Sequence, residues 1–291
     1  MATRLDSNSL GSGTPPAFAT TPIEKVQEYW NTRPCNIRHS PSPVGTRQYF
    51  DEVEARRYFV EPHIPDFAEF ARWRGRRVLE IGSGIGTDTI NFARAGAHVT
   101  AVDLSAKSLE IAKLRAETYG LADRIRFYQA DAENLHKVVP PEPYDLVYSF
   151  GVIHHTPHPE SVIKQIRQHY VSPGGTLKMM VYHRYSWKVF GILANYRGAF
   201  WKLDSLIARH SEAQTGCPVT YSYSPKSVRQ LLGPEFEITD LSINHIFRYR
   251  IPDYVNYKYV KVWYFRYLPR GVFRALERNL GWHLCVTAQA K

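Results

Sequence analysis

One stretch constrains the fold of this chain more than any other, namely residues 77–103, RVLEIGSGIGTDTINFARAGAHVTAVD. It starts with a largely apolar run at 78–81, which is typical of a strand buried on both faces of a parallel sheet. Three alternating glycines then allow backbone angles and a close ligand approach that side chains would block: Gly82, Gly84 and Gly86. A helix is predicted from about Thr87 to Ala95. This strand, turn and helix form half of a nucleotide-binding fold.

The second strand predicted in this stretch, at 98–102, ends on Asp103. This aspartate lies 21 positions after Gly82, close to the offset of about 20 residues at which an acidic residue accepts hydrogen bonds from a ribose. A ligand with an adenosine-like sugar is therefore predicted. A dinucleotide fingerprint would place a third glycine at position 87, where this chain has Thr87. NAD is disfavoured, though not excluded.

An acidic residue extends the glycine pattern, since Glu80 precedes Gly82 in the sequence E-x-G-x-G-x-G. This pattern resembles the first motif of class I S-adenosylmethionine-dependent methyltransferases. The resemblance implies a loop that accommodates an amino acid moiety and a sulfonium instead of two phosphates. S-adenosyl-L-methionine is therefore the implied cofactor.

Later stretches resemble the same family in its order and spacing. After a predicted third strand at 125–129, residues 131–135 (DAENL) resemble the D-A-x-x-L segment of the UbiE-like and UbiG-like branch (methyltransferase type 11/12). In that branch the aspartate contacts the exocyclic amine of adenine, and a carboxylate suits an amine because it only accepts hydrogen bonds. A fourth strand at 144–150 leads into GVIHHTP, and a helix at 159–170 leads into SPGGTL; both strings are similar to family motifs.

The motifs span roughly residues 77–182 and imply which residues bind the cofactor. The implied set is Glu80, Gly82, Ser83, Gly84, Gly86, Asp103, Leu104, Asp131, Ala132 and Phe150. His154 and His155 follow the fourth strand, at the edge where an open α/β sheet binds ligands, and are the candidate catalytic residues. A histidine there could remove the proton from an attacking hydroxyl. The alternative is that the pair only packs and orients this loop.

Composition narrows the class of protein. The chain has 291 residues, 44% of them hydrophobic, and no apolar run that would span a membrane or serve as a signal peptide, so the cytoplasm is the expected location. The cysteines at 35, 217 and 285 give no metal-binding spacing, and no metal is expected. A net charge of +10 would suit an anionic substrate, nucleic acid or an acidic membrane surface, but no RNA-binding motif supports nucleic acid.

The segments before the core are predicted to be a tail and a lid. Residues 1–20 are rich in Ser, Thr, Gly and Pro and are expected to be disordered. Residues 21–75 are interpreted as a lid over the cofactor and acceptor pocket, with a simple brace as the alternative. Thr21 and Glu24 suggest a capping box for a helix that ends before Arg33. The following proline-containing stretch is expected to wrap over the core as an ordered loop.

The segments after the core are predicted to form a cap and the last strands. Residues 186–233 have apolar residues at helical spacing and are interpreted as an inserted cap over the acceptor pocket. Within 234–291, the strands are placed at 236–246 and 282–288, with a segment dense in aromatic and basic residues between them. That segment could stack on a planar acceptor, bind an anion, rest on a lipid surface or only pack.

The predicted fold is α/β, a Rossmann-like, doubly wound sheet of seven strands with the last strand antiparallel and an added substrate cap. The resemblance implies methyl transfer to a small-molecule acceptor, for which an anionic or an aromatic compound is suggested, with O-methylation favoured over C- or N-methylation. The alternatives are methylation of a lipid or isoprenoid-like acceptor at a membrane surface, and a noncatalytic binding protein that makes peripheral membrane contact. Residues suggested to bind the acceptor are Tyr29, Arg38, Arg47, Tyr49, Tyr182, Tyr254 and Trp263.

Overall fold

The computed structural model describes residues 17–214 and 216–291. Its strands are β1 (Arg77–Ile81), β2 (His98–Asp103), β3 (Ile125–Gln129), β4 (Tyr144–Phe150), β5 (Val171–Tyr182), β6 (Phe236–Asn244) and β7 (His283–Ala290). Its α-helices are α1 (Ile23–Thr32), α2 (Arg47–Val60), α3 (His63–Ala68), α4 (Thr87–Arg94), α5 (Ala106–Thr118), α6 (Pro159–Gln165), α7 (Trp187–Asn195), α8 (Leu203–Gln214), α9 (Pro225–Leu232), α10 (Ile251–Tyr254), α11 (Trp263–Arg266) and α12 (Arg270–Leu280).

The strands form one sheet in the order β3-β2-β1-β4-β5-β7-β6. Strands β1 to β5 are parallel, whereas β7 runs antiparallel to both of its neighbours. The order reverses beside β1, and this reversal opens a crevice at the carboxyl ends of β1 and β4, where doubly wound sheets bind ligands. The predicted α/β class, with seven strands and the last one antiparallel, is confirmed.

Buried side chains cover both faces of the sheet, as a doubly wound fold requires. Within β1, Val78 belongs to a hydrophobic cluster on one face and Leu79 to a cluster on the other. The first cluster includes Ile90 of α4, and the second includes Val162 of α6. Because β1 is buried on both sides, its backbone is held rigidly beneath the glycine turn that follows it.

The structure corrects two predictions about the N-terminal segment. Helix α1 has no side-chain cap, and Pro22 occupies the N-cap position, so the capping box proposed for Thr21 and Glu24 is wrong. The stretch expected to be a loop contains helix α2, whose N-terminus is capped by the Thr46 hydroxyl accepting from the Tyr49 amide. Prolines at positions 41 and 43 lie before that cap, and so they do not interrupt the helix.

Of the tail predicted at residues 1–20, residues 1–16 lie outside the described part of the chain. Residues 17–20 are ordered, since the Phe18 amide donates a hydrogen bond of 3.2 Å to the Tyr221 hydroxyl. The inserted segment 186–233 forms three helices, α7 to α9. The first break falls at Arg197 and Gly198, which both have positive φ, whereas Gly191 lies inside α7.

The late segment between β6 and β7 forms the short helices α10 and α11 and the amphipathic helix α12. Arg56 of α2 is buried against it and donates a hydrogen bond of 2.6 Å to the Tyr254 carbonyl. Its guanidinium also lies 4.1 Å from the centre of the Tyr254 ring. Other aromatic side chains of this region are exposed, among them Trp263 and Tyr267. None of the helices in the described residues has the length and apolar character needed to cross a membrane.

Candidate functional site

A pocket opens at the carboxyl ends of β1, β2, β4 and β5, and helix α1 covers part of it. Nine of the ten residues implied as cofactor-binding line this pocket: Glu80, Gly82, Ser83, Gly84, Asp103, Leu104, Asp131, Ala132 and Phe150. Gly86 is the exception. It has a φ of +79°, and a Cβ at this position would lie 3.1 Å from the Ala112 side chain of α5. Gly86 therefore serves the packing of the two helices and does not line the pocket.

The surroundings of the turn after β1 explain why glycine occupies its positions. Gly82 has a φ of +83°, and a Cβ there would lie 2.0 Å from a methyl group of Val152, so no side chain can be accommodated. Gly84 has a φ of +53°, and a Cβ there would meet no atom within 4 Å. Since Gly84 lines the pocket, the space left by its missing side chain is open to a ligand.

Asp103 ends β2 and fixes two neighbouring turns. One carboxylate oxygen accepts from the Gly84 amide and the other from the Ser105 amide, both at 2.8 Å. Burial raises the pKa of the Asp103 carboxyl, while these backbone donors act in the opposite direction. Each oxygen has a second lone pair available for a ligand, which suits the pair of hydroxyls of a ribose.

Asp131 lies after β3 and begins a 3₁₀ helix at Ala132–Lys137. Its carboxylate accepts from the Glu133 amide at 2.9 Å and from the Asn134 side chain at 2.7 Å. Asp131 and Ala132 both line the pocket. A held carboxylate of this kind can still accept from the exocyclic amine of an adenine.

The donor set fits S-adenosylmethionine. The turn offers the buried Ser83 hydroxyl, which has no hydrogen-bond partner among the described residues and lines the pocket. A hydroxyl there can bind the amino acid end of the cofactor, while Asp103 and Asp131 can bind its ribose and adenine. Thr87 occupies the position of the third dinucleotide glycine, and its hydroxyl accepts from Arg115 at 2.6 Å.

Beneath the turn lies a buried network of charged groups. The Asp88 carboxylate accepts from Arg57 at 2.8 Å and from the Tyr58 and Tyr148 hydroxyls at 2.9 and 3.1 Å. Glu80 accepts from the Thr89 hydroxyl, and burial together with the charge of Asp88 raises the pKa of the Glu80 carboxyl well above its usual range. Arg57 thus connects α2 to the core of the site.

The two candidate histidines differ in environment. His154 is fully buried against Tyr182, with ring centres 3.9 Å apart, and burial lowers its pKa well below the usual value. His155 lines the pocket, and its Nδ1 lies 2.7 Å from the Val219 carbonyl. A carbonyl only accepts, so Nδ1 carries the proton and Nε2 is the basic nitrogen.

Of the seven residues suggested to bind the acceptor, only Tyr182 lines the pocket. Arg47 and Trp263 are exposed, and Tyr49 is fully buried, with its hydroxyl donating to the Ile37 carbonyl at 2.9 Å. The others belong to neighbouring contacts: Tyr29 packs edge-on against Trp30, the Arg38 carbonyl accepts from Tyr257, and Tyr254 contacts Arg56 and His39.

Several pocket residues were not predicted from the sequence: Ile23, Val26, Trp30, Cys35, Asn36, Arg57, Glu61, Asp88, Val152, Met180 and His283. The apolar face of α1 was a detectable signal for Ile23, Val26 and Trp30. No spacing links Glu61 to His283, because they reach the pocket from α2 and β7. The inserted segment 186–233 contributes no residue to the described pocket lining, and it touches the site through Val219 and Thr220 against His155.

A second cavity lies behind the first and is markedly basic. It is lined by Arg248, Lys261, Arg266, Arg270 and Arg274, with Glu277 as its acidic residue, and by His245 and several aromatic side chains. The His245 ring lies 4.6 Å from the ring of His283, which lines the first pocket. The two cavities are therefore adjacent, and each has one histidine of this pair in its lining.

Comparison with known proteins agrees with this geometry. A family model described as "Methyltransferase domain" matches residues 78–175. A ubiquinone biosynthesis O-methyltransferase of Aeromonas salmonicida is 36% identical over 110 residues, which are 38% of this chain and 44% of that protein. The chain thus spans less than half the length of this relative.

Solved structures share the fold at low sequence identity. A magnesium protoporphyrin IX methyltransferase from Synechocystis has a TM-score of 0.58 at 16% identity, covering 93% of this chain and 100% of that one. A geranyl diphosphate C-methyltransferase from Streptomyces coelicolor has a TM-score of 0.57 at 14% identity, covering 95% and 100%. These likenesses concern the fold and extend beyond the segment matched by the family model.

Proposed function

We propose that this protein methylates a hydroxyl of a small molecule. The premise is that residues 78–175 are a class I S-adenosylmethionine-dependent methyltransferase domain. The observation that carries the proposal is the pocket itself, in which the open space at Gly84 lies beside the carboxylates of Asp103 and Asp131. The choice of oxygen as the methylated atom is supported by relatives named as O-methyltransferases.

The residues of this chain would act mainly by positioning. Bound here, S-adenosylmethionine supplies an electrophilic methyl group on a sulfonium that leaves as a neutral thioether. Helix α1 helps to close the pocket, since Gln27 donates to the Leu104 carbonyl at 3.1 Å and Trp30 lines the opening. Excluding water and aligning the reacting groups can contribute on the order of 7 to 11 kcal/mol.

Calorimetric titration with S-adenosylhomocysteine tests the proposed binding mode. Replacing Asp103→Ala should weaken binding about tenfold to more than a hundredfold, because hydrogen bonds to a charged group contribute about 1.5 to 3 kcal/mol. Asp123→Ala removes an exposed carboxylate outside the pocket and should leave binding unchanged. Equal affinities in both variants, or tighter binding of NAD than of S-adenosylhomocysteine by the unmodified protein, would refute the assignment.

His155 is the candidate general base. With S-adenosylmethionine bound, Nε2 of His155 would take the proton of the acceptor hydroxyl as its oxygen is methylated. Nδ1 keeps its own proton in the hydrogen bond to Val219. His154 has a structural role, since it is fully buried and does not line the pocket.

His155→Gln should lower kcat at least a hundredfold while the affinity for S-adenosylhomocysteine is preserved, because general-base catalysis contributes about 10² to 10⁴ in rate. His158→Gln alters the partly exposed histidine of the same loop and is the matched control. Single-turnover rates of both variants are compared with that of the unmodified protein. If His155→Gln keeps more than a tenth of the activity, catalysis belongs to positioning alone.

The basic cavity supports an acceptor that carries an anionic group. Five cationic side chains against one carboxylate favour a carboxylate or phosphate ligand, and Arg248 is additionally held between the Tyr249 and Phe273 rings. A library of hydroxylated acceptors, each offered with and without a carboxylate or phosphate, should show turnover mainly for the anionic members. Equal turnover of the neutral members would contradict this part of the proposal.

A further inference from the structure

Three side chains that are distant in sequence converge between the two cavities. Glu61, His245 and His283 each offer one ligand atom, and these atoms all lie within 4.8 Å of one another. Nε2 of His283 is 3.6 Å from a carboxylate oxygen of Glu61. Both histidines are buried. Two imidazoles and one carboxylate are the donor set of many catalytic zinc and non-haem iron sites.

We propose that Glu61, His245 and His283 bind a divalent transition metal ion, and that this ion holds the oxygen atoms of the acceptor in the pocket. The second half of this statement rests on the proposed function, whereas the first half does not. Ligand atoms bound to one tetrahedral zinc ion at the usual bond lengths lie about 3.3 to 3.6 Å apart. The distance of 3.6 Å between Glu61 and His283 already reaches that range, and no distance between ligand atoms of the cluster exceeds 4.8 Å.

The backbone holds this cluster in place from three elements. His283 begins β7 and is paired in register with Asn244 at the end of β6. The His245 carbonyl accepts from the Trp282 amide at 2.8 Å, which ties the two histidines together. Glu61 terminates α2, with its amide bonded to the Arg57 carbonyl at 2.8 Å. Sites built on the ends of regular elements are held more accurately than sites on loops.

His245 also has an unusual backbone conformation, with a φ of +68°. A residue with a side chain adopts positive φ only at an energetic cost, and such strained residues cluster at functional sites. Here the strain places an imidazole beside His283, with the two rings 4.6 Å apart. A role of this imidazole as a metal ligand would account for the backbone strain at His245.

A fourth histidine completes the arrangement as a positioning residue. Nε2 of His63 lies 3.1 Å from Nδ1 of His283, so that Nε2 of His283 is the nitrogen that faces Glu61. A hydrogen bond to the second ring nitrogen is the usual support of a metal-bound histidine, because it fixes the ring orientation and raises its basicity.

The cluster leaves coordination positions for an acceptor. Glu61 and His283 line the first pocket together with Tyr182, and His245 lines the basic cavity. Arg57 lines the same pocket and is paired with Asp88 at 2.8 Å, and the carboxylate of Glu61 also attracts its charge. A cation at this point would face the cofactor pocket on one side and the anion-binding cavity on the other, and it would bind chelating oxygens of an anionic acceptor.

Metal titration of tag-free protein after dialysis against a chelator tests the inference, with Zn²⁺ and Co²⁺ as probes and a chromophoric chelator as competitor. The unmodified protein should bind one equivalent. His283→Gln and Glu61→Gln should weaken binding at least a hundredfold, and His63→Gln ten- to a hundredfold. His169→Gln alters a histidine that stacks on His136 elsewhere in the fold, and it should bind metal like the unmodified protein.

The outcomes separate this inference from the proposed function. Binding of S-adenosylhomocysteine without stoichiometric metal binding, or equal metal affinity in all variants, overturns the metal site and leaves the methyltransferase proposal intact. Metal binding without S-adenosylhomocysteine binding overturns the methyltransferase proposal and leaves the metal site intact. Circular dichroism reports whether each variant is folded. If His283→Gln unfolds, Glu61→Gln decides, because Glu61 is partly exposed at a helix end.

Discussion

At the scale of single residues, glycine carries the clearest information in this molecule. Gly82 and Gly84 look equivalent in the sequence, yet their Cβ positions differ completely. One would overlap Val152, while the other opens into the pocket. Gly82 is therefore required by the packing of the fold, whereas the space beside Gly84 is open to a ligand. The distinction depends on which atoms surround each position, and the motif alone does not contain it.

Gly84→Ala should consequently separate ligand binding from stability. Gly174→Ala is the matched control, since Gly174 also has positive φ (+68°, against +53° for Gly84) and open space around its Cβ, but it does not line the pocket. Both variants should lose about 1 kcal/mol of unfolding free energy, because an L-residue is strained there. Only Gly84→Ala should lose affinity for S-adenosylhomocysteine, by tenfold or more. Urea unfolding and calorimetry measure the two effects, and similar binding by both variants would exclude a ligand at Gly84.

At the scale of elements, helix α1 is attached to the sheet mainly through the ligand-binding edge. Gln27 donates to the Leu104 carbonyl, and the Ser105 hydroxyl donates to the Trp30 carbonyl at 3.2 Å. The Trp30 ring also lies edge-on to His155, with centres 5.4 Å apart. The helix therefore bridges the turn after β2 and the loop after β4.

Trp30→Ala should weaken binding of S-adenosylhomocysteine about tenfold, because it removes a wall of the pocket and its contact with His155. Trp201→Ala removes an indole that is 70% exposed on the inserted segment and should leave the affinity unchanged. Calorimetry at one temperature is sufficient for this comparison. An unaffected Trp30→Ala variant would mean that α1 only braces the core.

At the scale of the whole molecule, the burial of histidines makes stability depend on pH. Burial, with Arg56 and Arg57 nearby, lowers the pKa of His39 to about 3, and burial lowers that of His63 to about 4. These groups stay neutral in the native state, whereas in the unfolded chain a histidine titrates near 6.5. Below that pH the unfolded chain binds more protons, and the native state loses up to about 1.4 kcal/mol per pH unit for each such histidine.

The unfolding free energy should accordingly fall between pH 7 and pH 5. His39→Asn should reduce this slope by up to about 1.4 kcal/mol per pH unit, because a half-buried imidazole with a lowered pKa has been removed. His158→Asn alters a partly exposed histidine and serves as the control. Urea unfolding at a series of pH values measures both slopes. A His39→Asn slope identical to that of the unmodified protein would show that His39 does not contribute.

The sequence by itself determined the parallel part of the sheet and the cofactor edge. Both depend on local order along the chain: an apolar strand such as β1, then a glycine turn, then a helix, with Asp103 and Asp131 directly after the next two strands. Short stretches of sequence are sufficient to determine local backbone geometry and strand burial. For this reason the predicted strand bounds lie close to the observed ones, and nine of the implied cofactor residues line the pocket.

Only the tertiary structure decided what lies on the acceptor side. Six of the seven acceptor residues suggested by the sequence lie outside the pocket. Glu61 and His283 line it instead, and His245, which lines the basic cavity, lies beside them. Aromatic and basic residues look alike in sequence whether they pack, face solvent or line a cavity. Their role depends on contacts between residues that are more than 180 positions apart in the sequence. These contacts form because β7 returns antiparallel to β5, and no local sequence pattern predicts them.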